Sequence, residues 1–311
     1  MNRTPYDGDM SDFAERIVDA MNAIHGVHKG FRSVHAKGSC CRGTFVATPE
    51  AGQICVAPHL NGDEVEVTVR FSNGSGKPTR ADGARDERGM AVKFHLPDGA
   101  STDLVSLTLP VFFVRTPEDF LAFLEAQRPD PETGKPDLDR VGEFIAAHPE
   151  TQVATMFVMM NESPASFAGC AFNGIHAFVM TGPNGTKRYV RYSWEPHAEP
   201  ATLTDAETRA RGKGYLHEEL EERLTREPVV FELRIQVAGE GDDPNDPTTA
   251  WPEGREVITL GRMTIHEFTG RACEGMIFDP GRLVDGIERS DDPILHARSP
   301  AYSVSFARRS S

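Results

Sequence analysis

The 311-residue chain has no apolar run near the ~20 residues a helix needs to span a bilayer, so no membrane span is expected. Met1 to Met10 is polar and offers no apolar signal core, which makes the cytoplasm the expected compartment. There is no long basic run either. With 33 Lys and Arg against 47 Asp and Glu, the net charge of −14 argues against nucleic acid or an anionic membrane as partner. The five Cys residues (Cys40, Cys41, Cys55, Cys170, Cys273) are odd in number and lack C-x-x-C spacing. That pattern favours reduced thiols over a disulfide framework or a zinc site. Cys40 and Cys41 lie close to His35 in sequence, so either a reactive thiol or ordinary packing fits them. Internal repeats and low-complexity linkers are also missing. One domain over residues 1–311 is expected: a helical segment at 10–26, a barrel with helices at 32–268, and a C-terminal segment at 278–311.

What is present is a succession of strand patterns. Val65, Val67, Val69 and Phe71 alternate with Glu66, Thr68 and Arg70, a strand with one buried face. Met90 to His95 and Leu104 to Leu109 read as strands around the turn Pro97-Asp98-Gly99. Ile175 to Met180 and Arg188 to Trp194 flank Pro183-Asn184-Gly185-Thr186, a hairpin signal. Val229 to Ala238, Arg262 to Phe268 and Thr44 to Thr48 complete about eight strands, mostly on hairpin-length links, which predicts an antiparallel barrel. Helical patterns interrupt them. Phe13, Ile17, Met21 and Ile24 mark an amphipathic helix over Ser11 to Ile24, with Ser11 as its N-cap. Pro117 to Ala126, Leu138 to Ala147 and Asp205 to Arg223 have helix-forming composition. Ala238 to Pro252 reads as an exposed loop. The expected class is α+β: an antiparallel eight-stranded β-barrel flanked by helices.

Two fragments carry most of the chemistry. In Arg32-Ser33-Val34-His35-Ala36-Lys37-Gly38 an imidazole stands among cations; in Arg298-Ser299-Pro300-Ala301-Tyr302 a phenol follows a guanidinium by four residues. A helical backbone would put Arg298 and Tyr302 on one face, and a guanidinium beside a phenol favours the phenolate. Pro300 complicates that helix, and Ser299-Pro300 could instead cap a new one. In Val69-Arg70-Phe71-Ser72, Arg70 and Ser72 share the face opposite Val69 and Phe71. Placed on the inner face of a barrel, both would need partners. Pro110-Val111-Phe112-Phe113-Val114-Arg115, with Phe120 and Phe123, is an aromatic cluster that serves either the core or a flat ligand.

These blocks resemble the haem catalase family in order and spacing, from Arg32 to Arg309. The other matching segments are Arg85-Asp86-x-Arg88-Gly89-x-Ala91-Val92-Lys93-Phe94, Pro110-Val111-Phe112-Phe113 and Phe278-Asp279-Pro280. The short chain is most similar to the small catalase-related peroxidases. The resemblance implies haem b as cofactor, with His35 as the distal base, Ser72 supporting it and Tyr302 as the iron ligand. It further implies that Arg298 contacts the tyrosinate and that Arg32, Arg70 and Arg309 bind propionates. Phe112 and Phe120 would lie near the haem, and Asp86 in the substrate channel.

One departure matters. The family carries Gly-Asn-Asn-Thr-Pro before the Phe pair, and its first Asn assists at the peroxide. Here the segment is Ser106-Leu107-Thr108-Leu109-Pro110, so Leu107, or with a one-residue shift Thr108, takes that place. Leu offers no hydrogen-bond donor and Thr only a hydroxyl on a shorter reach. The expectation is a haem peroxidase that reduces organic hydroperoxides or hydrogen peroxide with small organic electron donors, with little oxygen-evolving activity, as a monomer or small homo-oligomer. The alternatives are an isomerase or dehydratase of fatty-acid hydroperoxides, and a haem-binding barrel without catalysis.

Overall fold

Alternating apolar residues close eight strands into an antiparallel barrel in the computed structural model, which describes residues 9–310. The strands are β1 (Gly38–Ala47), β2 (Glu64–Asn73), β3 (Arg88–His95), β4 (Ser101–Leu107), β5 (Phe172–Thr181), β6 (Lys187–Pro196), β7 (Val229–Val237) and β8 (Val257–Gly270). Each pairs with its sequence neighbour, and β8 returns to β1, so the barrel is up-and-down. A short ninth strand, β9 (Ile287–Arg289), adds to the free edge of β5. The hairpin signals hold: Gly99 and Gly185 adopt φ of 83° and 79° at the turns expected for them.

Most of the strands run longer than their apolar alternation alone indicated; the one read over Val229 to Ala238 stops at Val237. In β2, the solvent-facing Glu64 and Glu66 give way to Arg70 and Ser72, both 4% exposed. This second half of the strand is covered on both faces. Val65, Val67, Val69 and Phe71 join Phe45, Phe94, Phe172, Trp194 and Phe231 in one core that fills the barrel. Arg70 and Ser72 therefore project from its outer face, contrary to the expectation that they point inward. The side-chain period of two allows no other result once Val69 and Phe71 take the interior. Rings fill the interior of the barrel.

Seven helices matter for that outer layer: α1 (Asp9–His25), α2 (Pro117–Ala126), α3 (Leu138–Ala147), α4 (Gln152–Met160), α5 (Asp205–Ala210), α6 (Tyr215–Leu224) and α7 (Pro293–Ser310). Ser11 falls within α1 rather than capping it. The pattern over Asp205 to Arg223 splits in two because Arg211-Gly212-Lys213-Gly214, with two helix-poor glycines, intervenes. The helix α4 was not foreseen; of its nine residues only Ala154 is buried, so its sequence carries no clear helical stripe. Ser299-Pro300 begins no new helix: α7 runs continuously through Pro300. Pro300 cannot donate to the His296 carbonyl, but the flanking turns keep the helical path. Ile17 and Ala20 of α1, Leu121 and Leu124 of α2 and Ala301 of α7 pack together as a lid over the barrel wall.

The expectation of reduced thiols fails at one pair. Cys40 on β1 and Cys273, just after β8, form a disulfide, with Cα atoms 5.7 Å apart across a sequence separation of 233. So distant a pairing leaves no local spacing signal. Cys41, Cys55 and Cys170 stay free and buried. Burial pushes the Cys41 thiol up to about 12, so packing rather than reactivity is its role. A Cys40→Ser, Cys273→Ser double variant should lose about 2–5 kcal/mol of stability. Chemical denaturation of the two proteins measures this directly; equal midpoints and slopes would contradict it.

Candidate active site

The segment before β1 places His35 in the left-handed region, at φ 54°. A non-glycine residue there is held by its surroundings. The His35 N–H donates to the Gly74 carbonyl at 2.8 Å, and its carbonyl accepts from Arg70 Nη2 at 2.9 Å. The ring Nδ1 lies 3.1 Å from Ser72 Oγ, which leaves Nε2 for the cavity beside it. Gly89, opposite Ser72 across the β2–β3 ladder, makes this possible. A Cβ there would stand 2.8 Å from Ser72 Oγ and 3.0 Å from His35 Nδ1.

Two adjoining cavities share His35, Leu107 and Tyr302. The larger, of about 670 Å³, also has Asp86, Phe112, Phe120 and Arg298 in its wall. The smaller is a slot whose wall includes Arg32, Arg70, Ser72 and Arg309, with Ala91, Val105 and Phe278 as apolar sides. The site residues that the resemblance implied thus line one or both of these cavities on the outer barrel wall, drawn from both ends of the chain. Leu107, not Thr108, faces the cavities. Thr108 Oγ1 accepts the Arg88 N–H at 3.0 Å. Among the described residues no helix is long and apolar enough to cross a membrane.

The far wall is α7. Arg298 Nη2 donates to the Tyr302 hydroxyl oxygen at 2.7 Å, the contact a continuous helix provides at a spacing of four. Behind them lies a pair that sequence reasoning missed. His176 Nδ1 meets Asp292 Oδ2 at 2.6 Å, with both side chains buried. Asp292 Oδ1 accepts the Ile294 N–H at 2.9 Å and so caps α7. His176 is aimed there by an irregularity in β5, where Ile175 takes φ 61° and the β5–β6 register slips. Its Nε2 is buried and has no hydrogen-bond partner among the described residues. The Asp-Asp-Pro opening of α7 was the available signal for Asp292; nothing local marked His176.

Glu274 was missed as well. Arg70 Nε donates to it at 2.9 Å and Arg32 Nη1 donates to its other oxygen. Arg32 Nη2 and Arg309 Nη2 both donate to the Met276 carbonyl, at 3.1 and 3.0 Å. Asp86 accepts the Ser75 N–H at 2.9 Å. Its neighbour Glu87 shares the cavity wall, and burial together with the Asp86 carboxylate raises the Glu87 pKa well above the usual range.

Burial pulls His35 down to about 4, against the partial support of Asp86. The imidazole is therefore neutral, and able to accept a proton, at all but strongly acid pH. Burial lowers His25, His59 and His217 to about 4 as well. An ordinary histidine titrates near about 6.5. As pH falls, the unfolded chain takes up these protons before the folded one does. Stability from this source is complete above about 6.5, drains away between about 6.5 and 4, and then levels off. Thermal melts stepped from neutral pH down to about 4 should show Tm falling through that window; a flat Tm would contradict the buried neutral histidines.

Comparison with known proteins agrees with this geometry. The model of the catalase family matches residues 18–311. A catalase-related peroxidase of Mycolicibacterium paratuberculosis is 40% identical over 302 residues, covering 95% of this chain and 94% of that protein. A catalase-related peroxidase of Synechococcus elongatus is 37% identical over 298 residues, covering 95% and 88%. The crystal structure of a fungal catalase superposes with a TM-score of 0.82 at 26% identity, covering 94% of this chain and 62% of that one.

Proposed function

This chain belongs to the catalase family, and from that premise we propose that it is a haem b peroxidase reducing organic hydroperoxides or hydrogen peroxide with small organic electron donors. The observation that carries the reading is the meeting of the Ser72-supported His35 with the Arg298–Tyr302 pair around one cavity.

The residues present fit a haem. Tyr302 would hold the iron, with Arg298 Nη2 donating to its oxygen and fixing where that oxygen sits. Arg32, Arg70 and Arg309 at the slot would hold the two carboxylates of the porphyrin edge. Phe112 and Phe120, with ring centroids 5.4 Å apart, would pack near its face. When bound, the haem supplies redox capacity at its iron. The chain's own task is proton handling. His35 Nε2 takes the proton from one hydroperoxide oxygen and returns it to the leaving oxygen, while Ser72 keeps the ring oriented. The balanced reaction takes ROOH and two one-electron donors AH₂ to ROH, water and two AH radicals. The cytoplasm is the proposed compartment, and a disulfide such as Cys40–Cys273 would be uncommon there.

Leu107 decides between this reaction and dismutation. It presents an apolar surface where the resemblance has an amide, so hydrogen peroxide gains no donor there. The haem-loaded protein should oxidise a phenolic dye with cumene hydroperoxide while releasing little oxygen from hydrogen peroxide. Leu107→Asn should raise oxygen release. An oxygen electrode run beside the dye assay checks both; oxygen evolution by the unmutated protein at its best peroxidase rate would overturn the proposal.

A further inference from the structure

The three slot arginines share partners from one short segment. Residues 274–276 supply the Glu274 carboxylate, which accepts from Arg32 and Arg70, and the Met276 carbonyl, which accepts from Arg32 and Arg309. That segment has no strand or helix of its own. It is fastened at its start by the Cys40–Cys273 bond, and the Cys273 N–H also donates to Cys40 Sγ at 3.0 Å. Cys40 stands opposite Arg70 in the β1–β2 ladder. The covalent tether therefore joins the segment to the rung of the barrel that carries Arg70.

We propose that Glu274 is a positioning residue for the carboxylate edge of the cofactor, holding Arg32 and Arg70 so that their remaining donors face the slot. The inference rests on the haem reading above. Arg70 spends Nε on Glu274 and Nη2 on the His35 and Ala36 carbonyls, and among the described residues nothing takes Nη1. Arg32 spends both terminal nitrogens on Glu274 and Met276, and among the described residues nothing takes its Nε. Arg309 spends Nη2 on Met276, and among the described residues nothing accepts from its Nε or Nη1. Gly38 belongs to the same device: a Cβ there would sit 2.4 Å from the Arg70 guanidinium, so a side chain would push it out of place.

Charge points the same way. Three guanidiniums against the two carboxylates of a porphyrin leave one positive charge in a buried place. One more carboxylate balances the set. Burial alone would raise the Glu274 pKa, but Arg70 and Arg32 outweigh it and hold the group below its ordinary range, so it stays ionised.

The test compares wild type, Glu274→Gln and Glu274→Asp after loading with haem. Two quantities are read: the rate of haem transfer to excess apomyoglobin, and the midpoint potential of the iron. Glu274→Gln should lose haem about tenfold faster, the scale of a lost charge-assisted hydrogen bond. Its potential should move to more positive values, because removing a nearby negative charge favours the reduced iron; loosened packing alone would not demand that sign. Glu274→Asp keeps the charge on a shorter arm, so its potential should stay near wild type while its haem loss is intermediate. Wild type that takes up no haem would defeat the haem reading. Wild type that binds haem, with Glu274→Gln matching it in both readouts, would overturn this inference alone. If the Gln variant does not fold, haem loss from Glu274→Asp at the wild-type rate overturns it.

Discussion

Tyr302→Phe should emerge from reconstitution nearly free of haem. The change removes one oxygen, the atom proposed to hold the iron, which Arg298 Nη2 contacts at 2.7 Å. The ring remains, and so does the lid in which Ala301 packs against α1 and α2. Folding should therefore be little affected, and the defect should lie in the cofactor. Loss of a group that only supports a metal ligand commonly costs 10- to 100-fold in affinity, so loss of the ligand itself should cost at least about tenfold. Haem titration followed by the Soret band measures this. Full occupancy with an unchanged ferric spectrum in the Phe variant would remove Tyr302 from the iron.

His35→Ala should give the opposite pattern, with haem retained and chemistry lost. The backbone contact from the His35 N–H to the Gly74 carbonyl survives the substitution, as does the Arg70 contact to the carbonyl. What goes is the imidazole whose Nδ1 rests on Ser72 and whose Nε2 is left for the cavity. Proton transfer of this kind is commonly worth ~10² to 10⁴ in rate, and the drop should lie in that range. Stopped-flow mixing of the haem-loaded variant with hydroperoxide reads it as a slowed spectral change. In the unmutated protein that step should hold its rate down to about pH 4, where His35 itself takes up a proton. A wild-type rate in the Ala variant would mean that another residue moves the proton.

The barrel was legible because alternation in Val65 to Phe71 and turn residues at Pro97-Asp98-Gly99 and Asn184-Gly185 are local signals. The direction of Arg70 and Ser72 was not, because alternation separates two faces without saying which is enclosed. That was settled by the rings of β1, β3, β5, β6 and β7 meeting inside. His35, Arg298 and Tyr302 could be found in sequence because each stands in a distinctive short block. Their meeting depends on α7 folding back over the barrel wall, which the Asp292–His176 contact and the lid with α1 secure. Glu274, His176 and the Cys40–Cys273 bond were not legible. Each acts through a partner far along the chain, and none repeats at a spacing that a strand or helix would impose.

The central claim is that this cavity turns hydroperoxide reduction into donor oxidation. The most direct measurement counts products when haem-loaded protein meets cumene hydroperoxide and an excess of a phenolic donor. The account predicts two donor molecules oxidised for each hydroperoxide consumed, with an equal yield of cumyl alcohol. Hydroperoxide consumed with no donor oxidised, or rearranged without reduction to the alcohol, would contradict it.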